Sequence, residues 1–192
     1  MRVLVACEYS GVVRDAFREL GHNAWSCDLK PTLSDPECHM VGDVSRYLDT
    51  KWDLVIAHPP CTHLAVSGAR WFKDKQEQQK EAIDFFMQFV DCADKVAIEN
   101  PVSIMSRVWR KPDQIVHPWM FGEPFSKTTC LWLKNLPKLE PTNIVDKGEI
   151  VIHGGKRIPK WYSNRERPRD MTFTGMAKAM AAQWGGRCID QN

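Results

Sequence analysis

The sequence predicts an α/β protein in which helices cover both faces of a mostly parallel, twisted sheet. Three observations support this fold class. Residues 2–7 and 54–57 are short, nearly continuous apolar runs, which are typical of strands buried on both faces. Residues 12–20 have the apolar spacing of a helix, and Gly21 provides a stop signal. The repeated order of strand, helix and strand then favours crossovers between parallel strands.

The remaining elements continue this alternation over the first half of the chain. We predict strands at residues 23–27 and 96–99, a weak third segment before residue 42, and the longest helix at residues 74–91. Beyond about residue 112 the pattern changes. The later predictions are a strand-like run at 128–133, a small hairpin at 149–153 and a last helix at 174–183.

Bulk composition is that of an ordinary globular chain. Its 192 residues suit a single domain, 1–192, and a net charge of +2 does not by itself indicate nucleic acid or membrane partners. Seven cysteines form no paired framework, so free thiols in a reducing cytoplasm are expected. No signal peptide or long apolar span is visible, which predicts no membrane association.

The strongest functional signal is a cysteine placed directly after a strand and a Pro-Pro turn. The strand at 54–57 is followed by His58, Pro59, Pro60 and Cys61. Two prolines fix the backbone, so the thiol is expected at the carboxyl edge of the sheet, where open α/β folds bind ligands. A thiolate there is a nucleophile, and Arg70 or His63 is the expected cation that lowers its pKa.

The other reading of this segment is a zinc site. Its ligands would be His58, Cys61 and His63, with Cys38 and His39 as further candidates. The spacing is a poor match to the paired ligands of structural zinc sites, so the prediction for a metal is none.

A carboxylate follows the next strand in the same way. Glu99 stands after an apolar run and before Asn100 and Pro101, which predicts a second side chain at the same sheet edge. Burial is expected to raise its pKa, and its carboxyl group is suited to bonding a ring nitrogen and an adjacent amino group. A thiol and an acid on neighbouring strand ends favour covalent catalysis on a planar ring.

The first strand, the turn after it and Asp28 resemble a nucleotide-binding arrangement. A turn before a helix leaves backbone amides for a ligand, and an acid at the end of the second strand suits a ribose hydroxyl pair. The turn lacks a complete Gly-x-Gly-x-x-Gly pattern, and many α/β proteins have a glycine and an aspartate at these positions.

Taken together, these motifs resemble the S-adenosylmethionine-dependent cytosine carbon-5 methyltransferases, in the order of that family. Pro60-Cys61 matches the family's Pro-Cys, and Glu99-Asn100 matches its Glu-Asn pair. Segment 67–70 loosely matches Ser-x-Gly-x-Arg, and Lys127 keeps the charge of an arginine-rich strand motif. The resemblance implies a Rossmann-like methyltransferase fold, with Cys61, Glu99, Arg70 and Lys127 as catalytic residues.

The resemblance also implies S-adenosyl-L-methionine as cofactor. Residues 7–12 occupy the place of the family's cofactor loop, with only Gly11 clearly retained, and segment 42–44 is similar to the one that holds the adenine. Segment 174–177 opens a helix that in the family folds back on the cofactor. The implied cofactor-binding residues are Cys7, Glu8, Tyr9, Ser10, Gly11, Asp28, Leu29, Asp43, Val44, Pro59, Gly175 and Met176.

Family members that act on duplex DNA carry a large target-recognition region, but here only a short insert at about 134–171 stands in its place. Its basic residues suit phosphate contact, and its two aromatic residues suit base stacking or simple packing. They are Lys156, Arg157, Lys160, Arg165, Arg167 and Arg169, with Trp161 and Tyr162. The expected partner is therefore DNA or a pyrimidine nucleotide, and a homodimer is possible.

Four functions remain open from the sequence. The leading one is methylation of cytosine in DNA at carbon-5, and the same chemistry on a free nucleotide such as dCMP is the first alternative. Amino-group methylation is less favoured, because His58 and Cys61 replace the acid and the aromatic residue of that class. A non-catalytic DNA-binding relative is the fourth. So small a chain suits a phage or a mobile element.

Overall fold

The computed structural model describes residues 1–68, 74–164 and 170–186, and within them a seven-stranded sheet dominates the fold. Its order is β3-β2-β1-β4-β5-β7-β6, and only β7 runs antiparallel to its neighbours. The strands are β1 Arg2–Ala6, β2 Asn23–Asp28, β3 His39–Val41, β4 Leu54–Ala57, β5 Lys95–Asn100, β6 Gln114–Val116 and β7 Thr129–Lys134.

This strand order confirms the Rossmann-like methyltransferase fold. β2 and β3 lie on one side of β1, whereas β4 and β5 lie on the other, so the chain changes direction between β1 and β4. At such a switch point the loops after the two strands separate and leave a crevice beyond their carboxyl ends. The segments after β1 and β4, which carry the predicted cofactor loop and Cys61, therefore lie beside each other.

Helices cover both faces of the sheet, as predicted. Alternate residues of the buried strands point to opposite faces, so Val3 and Val5 pack with α1 and α5, whereas Leu4 and Ala6 pack on the other side. The helices are α1 Val12–Glu19, α2 Gln76–Met87, α3 Met105–Val108, α4 Lys160–Asn164 and α5 Thr174–Met180. Phe86 of α2 and Met105 of α3 are fully buried in the second layer.

The longest predicted helix is shorter in the structure. We expected it to reach residue 91, but α2 ends at Met87, and the amides of Gln88, Phe89 and Val90 bond three residues back. Such tighter turns are common at helix ends. The strand β6 and the helices α3 and α4 have five residues or fewer, so they have too little periodicity to be predicted.

The insert contains the expected hairpin. Its strands are β8 Ile150–His153 and β9 Lys156–Pro159, joined by Gly154 and Gly155 with φ of 56° and 75°. Glycine is suited to this tight turn because both positions need a positive φ. None of the helices in the described ranges is both long and apolar enough to cross a bilayer.

Candidate active site

The thiol of Cys61 is presented at the carboxyl edge of the sheet, as the sequence predicts. The amide of His58 donates to the carbonyl of Ala6 at 2.9 Å, so the β1–β4 ladder continues one residue past the strand. The two prolines follow, and the amides of Leu64 and Ala65 then donate to the carbonyl of Cys61. This turn leaves Cys61 exposed, unlike the buried Cys27, Cys38 and Cys130.

The Pro-Pro-Cys turn is tied to the end of β5. The buried side chain of Asn100 donates from Nδ2 to the carbonyl of Pro59 at 2.8 Å. A second connection lies further along, where the amide of Val66 donates to the carbonyl of Val102 and the amide of Ile104 donates to that of Leu64. These bonds hold the loop after β4 against the loop after β5, so the two motifs identified in the sequence form one unit.

His58 and Glu99 form a polar side-chain pair in this unit. Because Ala57 pairs with Ile98 in the parallel register, the next residue on each strand is His58 and Glu99. Their side chains meet with His58 Nδ1 3.2 Å from Glu99 Oε2, and they are only 10% and 13% exposed. The other ring nitrogen, Nε2, is buried and has no hydrogen-bond partner.

The pKa of Glu99 moves in the direction opposite to our expectation. Burial acts to raise it, but the hydrogen bond from His58 and the positive charge of Lys127 outweigh burial and lower the pKa of Glu99 below its ordinary value. The prediction of a raised pKa is therefore wrong, because it considered desolvation without the partners that the fold supplies. Glu99 is held as a carboxylate.

The thiol of Cys61 is also not activated as we expected. Partial desolvation of the sulfur and the negative charge of Glu99 raise the pKa of Cys61, while the charge of Lys127 opposes them. The cation that acts on the thiol is thus Lys127 and not His63. Arg70, the other predicted cation and catalytic residue, lies outside the described residues. Lys127 is close enough to influence both Cys61 and Glu99.

The amino end of α1 is not free for a ligand, contrary to our expectation. The carboxylate of Glu8 is only 4% exposed and accepts from the amides of Val13 and Arg14 at 2.7 and 3.2 Å. Ser10 Oγ accepts from the amide of Val12 and donates to Glu8. A side chain of the loop therefore occupies the place where we expected an anionic or polar ligand to bind.

The loop between β1 and α1 is nevertheless sharply bent. Cys7 has φ of 58° and Gly11 has φ of 78°, and a β-carbon added at Gly11 would come within 2.8 Å of Arg14 and Ser34. Cys7 is half-buried, and burial followed by the charge of Asp28 raises the pKa of its thiol. Cys7 is therefore a protonated thiol, and any contact with a cofactor would not be that of a thiolate.

Asp28 ends β2 and keeps a half-exposed carboxylate at the crevice. Its Oδ1 accepts from the amide of Lys30 at 2.9 Å, and the next residue, Leu29, is 77% exposed. Asp43 instead accepts from the amide of Ser45, and this bond is the main reason that the pKa of Asp43 is lowered. Val44 is buried and packs in the core, so its side chain does not face the crevice.

The two residues predicted on the last helix have mainly structural contacts. The amide of Gly175 donates to Glu123 Oε2 at 3.1 Å, and a β-carbon at this position would lie only 1.9 Å from the carbonyl oxygen of Phe121. Met176 is buried in the core beside α1. Glycine is thus required by the close approach of α5 to Phe121, which is a sufficient reason for its presence.

Tyr9 and Lys30 meet a carboxylate from the far end of the insert. Tyr9 Oη donates to Asp170 Oδ1 at 3.0 Å, and Lys30 Nζ lies 3.4 Å from the other oxygen and 4.4 Å from the centre of the tyrosine ring. Asp170 also acts on the thiol of Cys61 through its charge. The cofactor loop, the loop after β2 and the start of the last segment therefore converge near the cysteine.

The aromatic residues of the insert have different environments. Trp161 is buried against Phe125 and Phe173, and its ring nitrogen donates to the carbonyl of Ser126. Of the two alternatives, these contacts favour simple packing for Trp161, whereas Tyr162 is exposed. Lys156 and Arg157 are exposed at the hairpin tip. The predicted Arg165, Arg167 and Arg169 lie outside the described residues.

Several buried polar atoms around the cysteine have no partner, and sequence reasoning missed most of them. They are His58 Nε2, Asn100 Oδ1 and Ser103 Oγ. Unpartnered buried groups are uncommon, so their occurrence on the segments that follow β4 and end β5 indicates a candidate ligand site. The contact of His58 was accessible from the strand register, since it extends the β4–β5 pairing by one residue and so lies opposite Glu99.

Within the described part of the chain, no metal site is found, and a large groove lies away from the thiol. No three side chains of histidine, cysteine, aspartate or glutamate converge there in a way that could hold a metal ion. An open groove of about 810 Å³ lies at the opposite edge of the sheet, between the amino ends of β4 and β5, and is lined by Asp53, Asp94 and others. Its position separates it from the thiol.

No family model and no curated protein matches the chain. Among solved structures, the chain is similar to a triple mutant of DNMT2 from Spodoptera frugiperda, with 12% identity and a TM-score of 0.41. The match covers 76% of this chain and 54% of that structure, so this chain spans about half its length. The degree of likeness carries no argument about activity, which depends on the site described above.

Proposed function

We propose that the protein transfers a methyl group from S-adenosylmethionine to carbon-5 of cytosine in DNA, with Cys61 forming a transient bond to carbon-6. The observation that carries the proposal is the union of two motifs at one sheet edge. Asn100 bonds the carbonyl of Pro59 at 2.8 Å, and Glu99 acts on the thiol of Cys61 through its charge. These contacts support a nucleophile and an acid that act together on one bound ring.

The chemistry of these two side chains fits a pyrimidine. The thiolate of Cys61 adds to carbon-6, and the electron pair of the ring double bond moves toward the ring nitrogen at position 3. Glu99 stands beside the thiol to bond that nitrogen and its amino neighbour. Carbon-5 becomes nucleophilic, and after methylation it loses its proton to water as the carbon–sulfur bond breaks and returns Cys61 as a thiolate. When bound, S-adenosylmethionine supplies the electrophilic methyl group.

The residues around the switch point fit this cofactor. The half-exposed carboxylate of Asp28, at the end of β2, suits the ribose hydroxyl pair. Because Glu8 and Ser10 occupy the first-turn amides of α1, the cofactor would depend on Asp28, Tyr9 and the backbone of the loop. Lys127 favours the thiolate of Cys61, whose pKa is otherwise raised by partial burial and by Glu99.

Charge on the insert supports a polymeric substrate over a free nucleotide. Lys156 and Arg157 project from the exposed tip of the hairpin, and Lys160 is paired with Glu149 at 2.6 Å. Cations on a projecting ribbon suit contact with successive phosphates. A free nucleotide would instead use a cation close to Cys61, and Lys127 acts on that thiol through its charge, so dCMP is included in the test.

The test is incubation of the protein with a radiolabelled methyl donor and duplex DNA, single-stranded DNA, RNA or dCMP. We expect label in DNA that is released as 5-methylcytosine on digestion to nucleosides. Label on dCMP alone would replace the proposal with the nucleotide alternative. Label on an exocyclic amino group, or none on any substrate, would reject it.

A further inference from the structure

His58 is the residue of the site that the proposed chemistry does not yet use. It stands directly before the Pro-Pro turn, and its ring is nine-tenths buried between the loops after β1 and β5. A buried histidine normally has a partner on each ring nitrogen. Here Nδ1 meets Glu99 at 3.2 Å, whereas Nε2 has none.

Two carboxylates act on this ring, but only one can exchange a proton with it. Glu8 and His58 are close enough for their charges to interact. Both oxygens of Glu8, however, are engaged by the amides of Val13 and Arg14. Burial also raises the pKa of Glu8, which disfavours its charged form, and Glu99 is the carboxylate at bonding distance from the ring.

We infer that His58 and Glu99 form a proton-sharing pair, in which His58 is a positioning residue that keeps a proton available to Glu99. The inference deepens the proposed function and rests on it for its place in the reaction. The ligand on which this pair acts is a planar ring with a basic nitrogen beside an amino group.

The proton that the ring nitrogen takes up is supplied and recovered by the pair, while the proton lost from carbon-5 leaves to water. As the sulfur–carbon bond forms, the Nδ1 proton of a protonated His58 passes to the Glu99 carboxylate, and the resulting carboxyl group protonates the ring nitrogen. His58 is left as a neutral imidazole. When the sulfur–carbon bond breaks, the same proton returns from the ring nitrogen through Glu99 to His58. No other oxidant, reductant or base is required for this transfer.

The pair explains how a low-pKa carboxylate can serve as an acid. The hydrogen bond from His58 and the charge of Lys127 lower the pKa of Glu99, although burial opposes them. Glu99 alone would therefore be ionised at neutral pH, with no proton to donate. Two groups this close titrate as a unit, so the proton belongs to the pair.

The charged and titratable groups facing the pair come from four directions. Glu8 belongs to the loop after β1, Cys61 to the loop after β4, and Lys127 to the segment before β7. Asp170 acts on Cys61 from the last segment. These are the groups of the described residues whose charges reach the pair or the neighbouring thiol.

The pair is tested first without any substrate, by a proton titration of the six histidine rings in isotope-labelled protein. Removing the negative partner by Glu99→Gln disfavours the imidazolium, so the midpoint of the His58 resonances should move to lower pH. The other rings serve as internal references, and Glu81→Gln, an exposed residue of α2, is the matched control. An unchanged His58 midpoint in Glu99→Gln overturns the inference.

The second arm uses His58→Asn, whose amide places a donor near the position of Nδ1 but does not titrate. We expect turnover to fall about 100-fold with little change in KM, and the acid limb of the pH profile to be lost. Full turnover with an unchanged pH profile would mean that His58 is only structural. A melting curve of the variant verifies that it is folded.

The two arms separate this inference from the proposed function. If wild-type protein methylates no substrate but the His58 midpoint falls in Glu99→Gln, the proposed reaction fails and the pair stands. If methylation occurs and the midpoint is unchanged, the reaction stands and the pair fails.

Discussion

At the carboxyl edge of the sheet, the segments after β4 and after β1 lie beside each other but use their polar groups differently. After β4 and β5, buried atoms of His58 and Asn100 lack partners and the thiol of Cys61 is exposed. After β1, Glu8 and Ser10 satisfy the first amides of α1. The first region has polar atoms available to a ligand. In the second region, side chains of the loop already bond the amides of the helix.

This difference shows which parts of the fold have polar groups that can bind a ligand. A helix amino terminus binds ligands only when its amides are unoccupied, and in this chain a buried carboxylate occupies them. Specific recognition of a cofactor must therefore depend more on Asp28 and on backbone groups of the loop. The proposed covalent chemistry uses the region after β4 and β5. Each prediction below acts on one side of this comparison.

The largest effect is expected for the nucleophile. Cys61→Ser should reduce methyl transfer by 1,000-fold or more, on the order of losses seen when a covalent nucleophile is removed. Because Cys61 is exposed, the melting temperature should be unchanged. Cys92→Ser, at a half-buried cysteine near the opposite sheet edge, is the matched control and should keep full activity. Activity retained by Cys61→Ser would contradict the covalent route.

The next effect tests whether Glu8 is structural. Glu8→Ala leaves the amides of Val13 and Arg14 buried without their acceptor, which should cost about 1–3 kcal/mol of unfolding free energy in urea titrations. Glu8→Gln keeps one acceptor oxygen and should recover part of the loss. An unchanged stability together with loss of cofactor affinity would show that Glu8 contacts the cofactor instead.

A smaller effect is expected for Asp28, the proposed ribose-binding residue. Asp28→Ala should weaken S-adenosylmethionine about tenfold in a calorimetric titration, since it removes hydrogen bonds to a charged acceptor. Asp49→Ala, an exposed aspartate beside the groove at the amino edge, should leave the affinity unchanged. Equal affinity in the wild type and Asp28→Ala would remove Asp28 from the site.

The smallest effect concerns the reactivity of the thiol. The charge of Glu99 contributes to the raised pKa of Cys61, so Glu99→Gln should lower that pKa and increase the thiolate fraction at pH 8. Alkylation of Cys61 by iodoacetamide, followed by mass spectrometry, should become several-fold faster in Glu99→Gln. Slower alkylation would mean that the two groups do not interact as the geometry requires. The exposed Glu81→Gln serves as control.

Sequence patterns predicted the framework well because the signals were local. The apolar runs located β1, β4 and β5, and the Pro-Pro turn placed Cys61 at the sheet edge. The directions of the pKa shifts were not predictable. That of Cys61 depends on burial of the sulfur and on Glu99, and that of Glu99 depends on His58 and Lys127, which only the fold brings together. The capping role of Glu8 was also missed, because a loop carboxylate has no sequence signal that separates a cap from a ligand contact.

The most direct test of the account is covalent trapping on duplex DNA in which 5-fluorocytosine replaces cytosine. Fluorine at carbon-5 cannot leave as the proton does, so a sulfur bond formed at carbon-6 should persist after methyl transfer. We predict a protein–DNA adduct that peptide mass spectrometry assigns to Cys61. Formation of 5-methylcytosine on ordinary duplex DNA without any adduct on the fluorinated duplex would contradict the account.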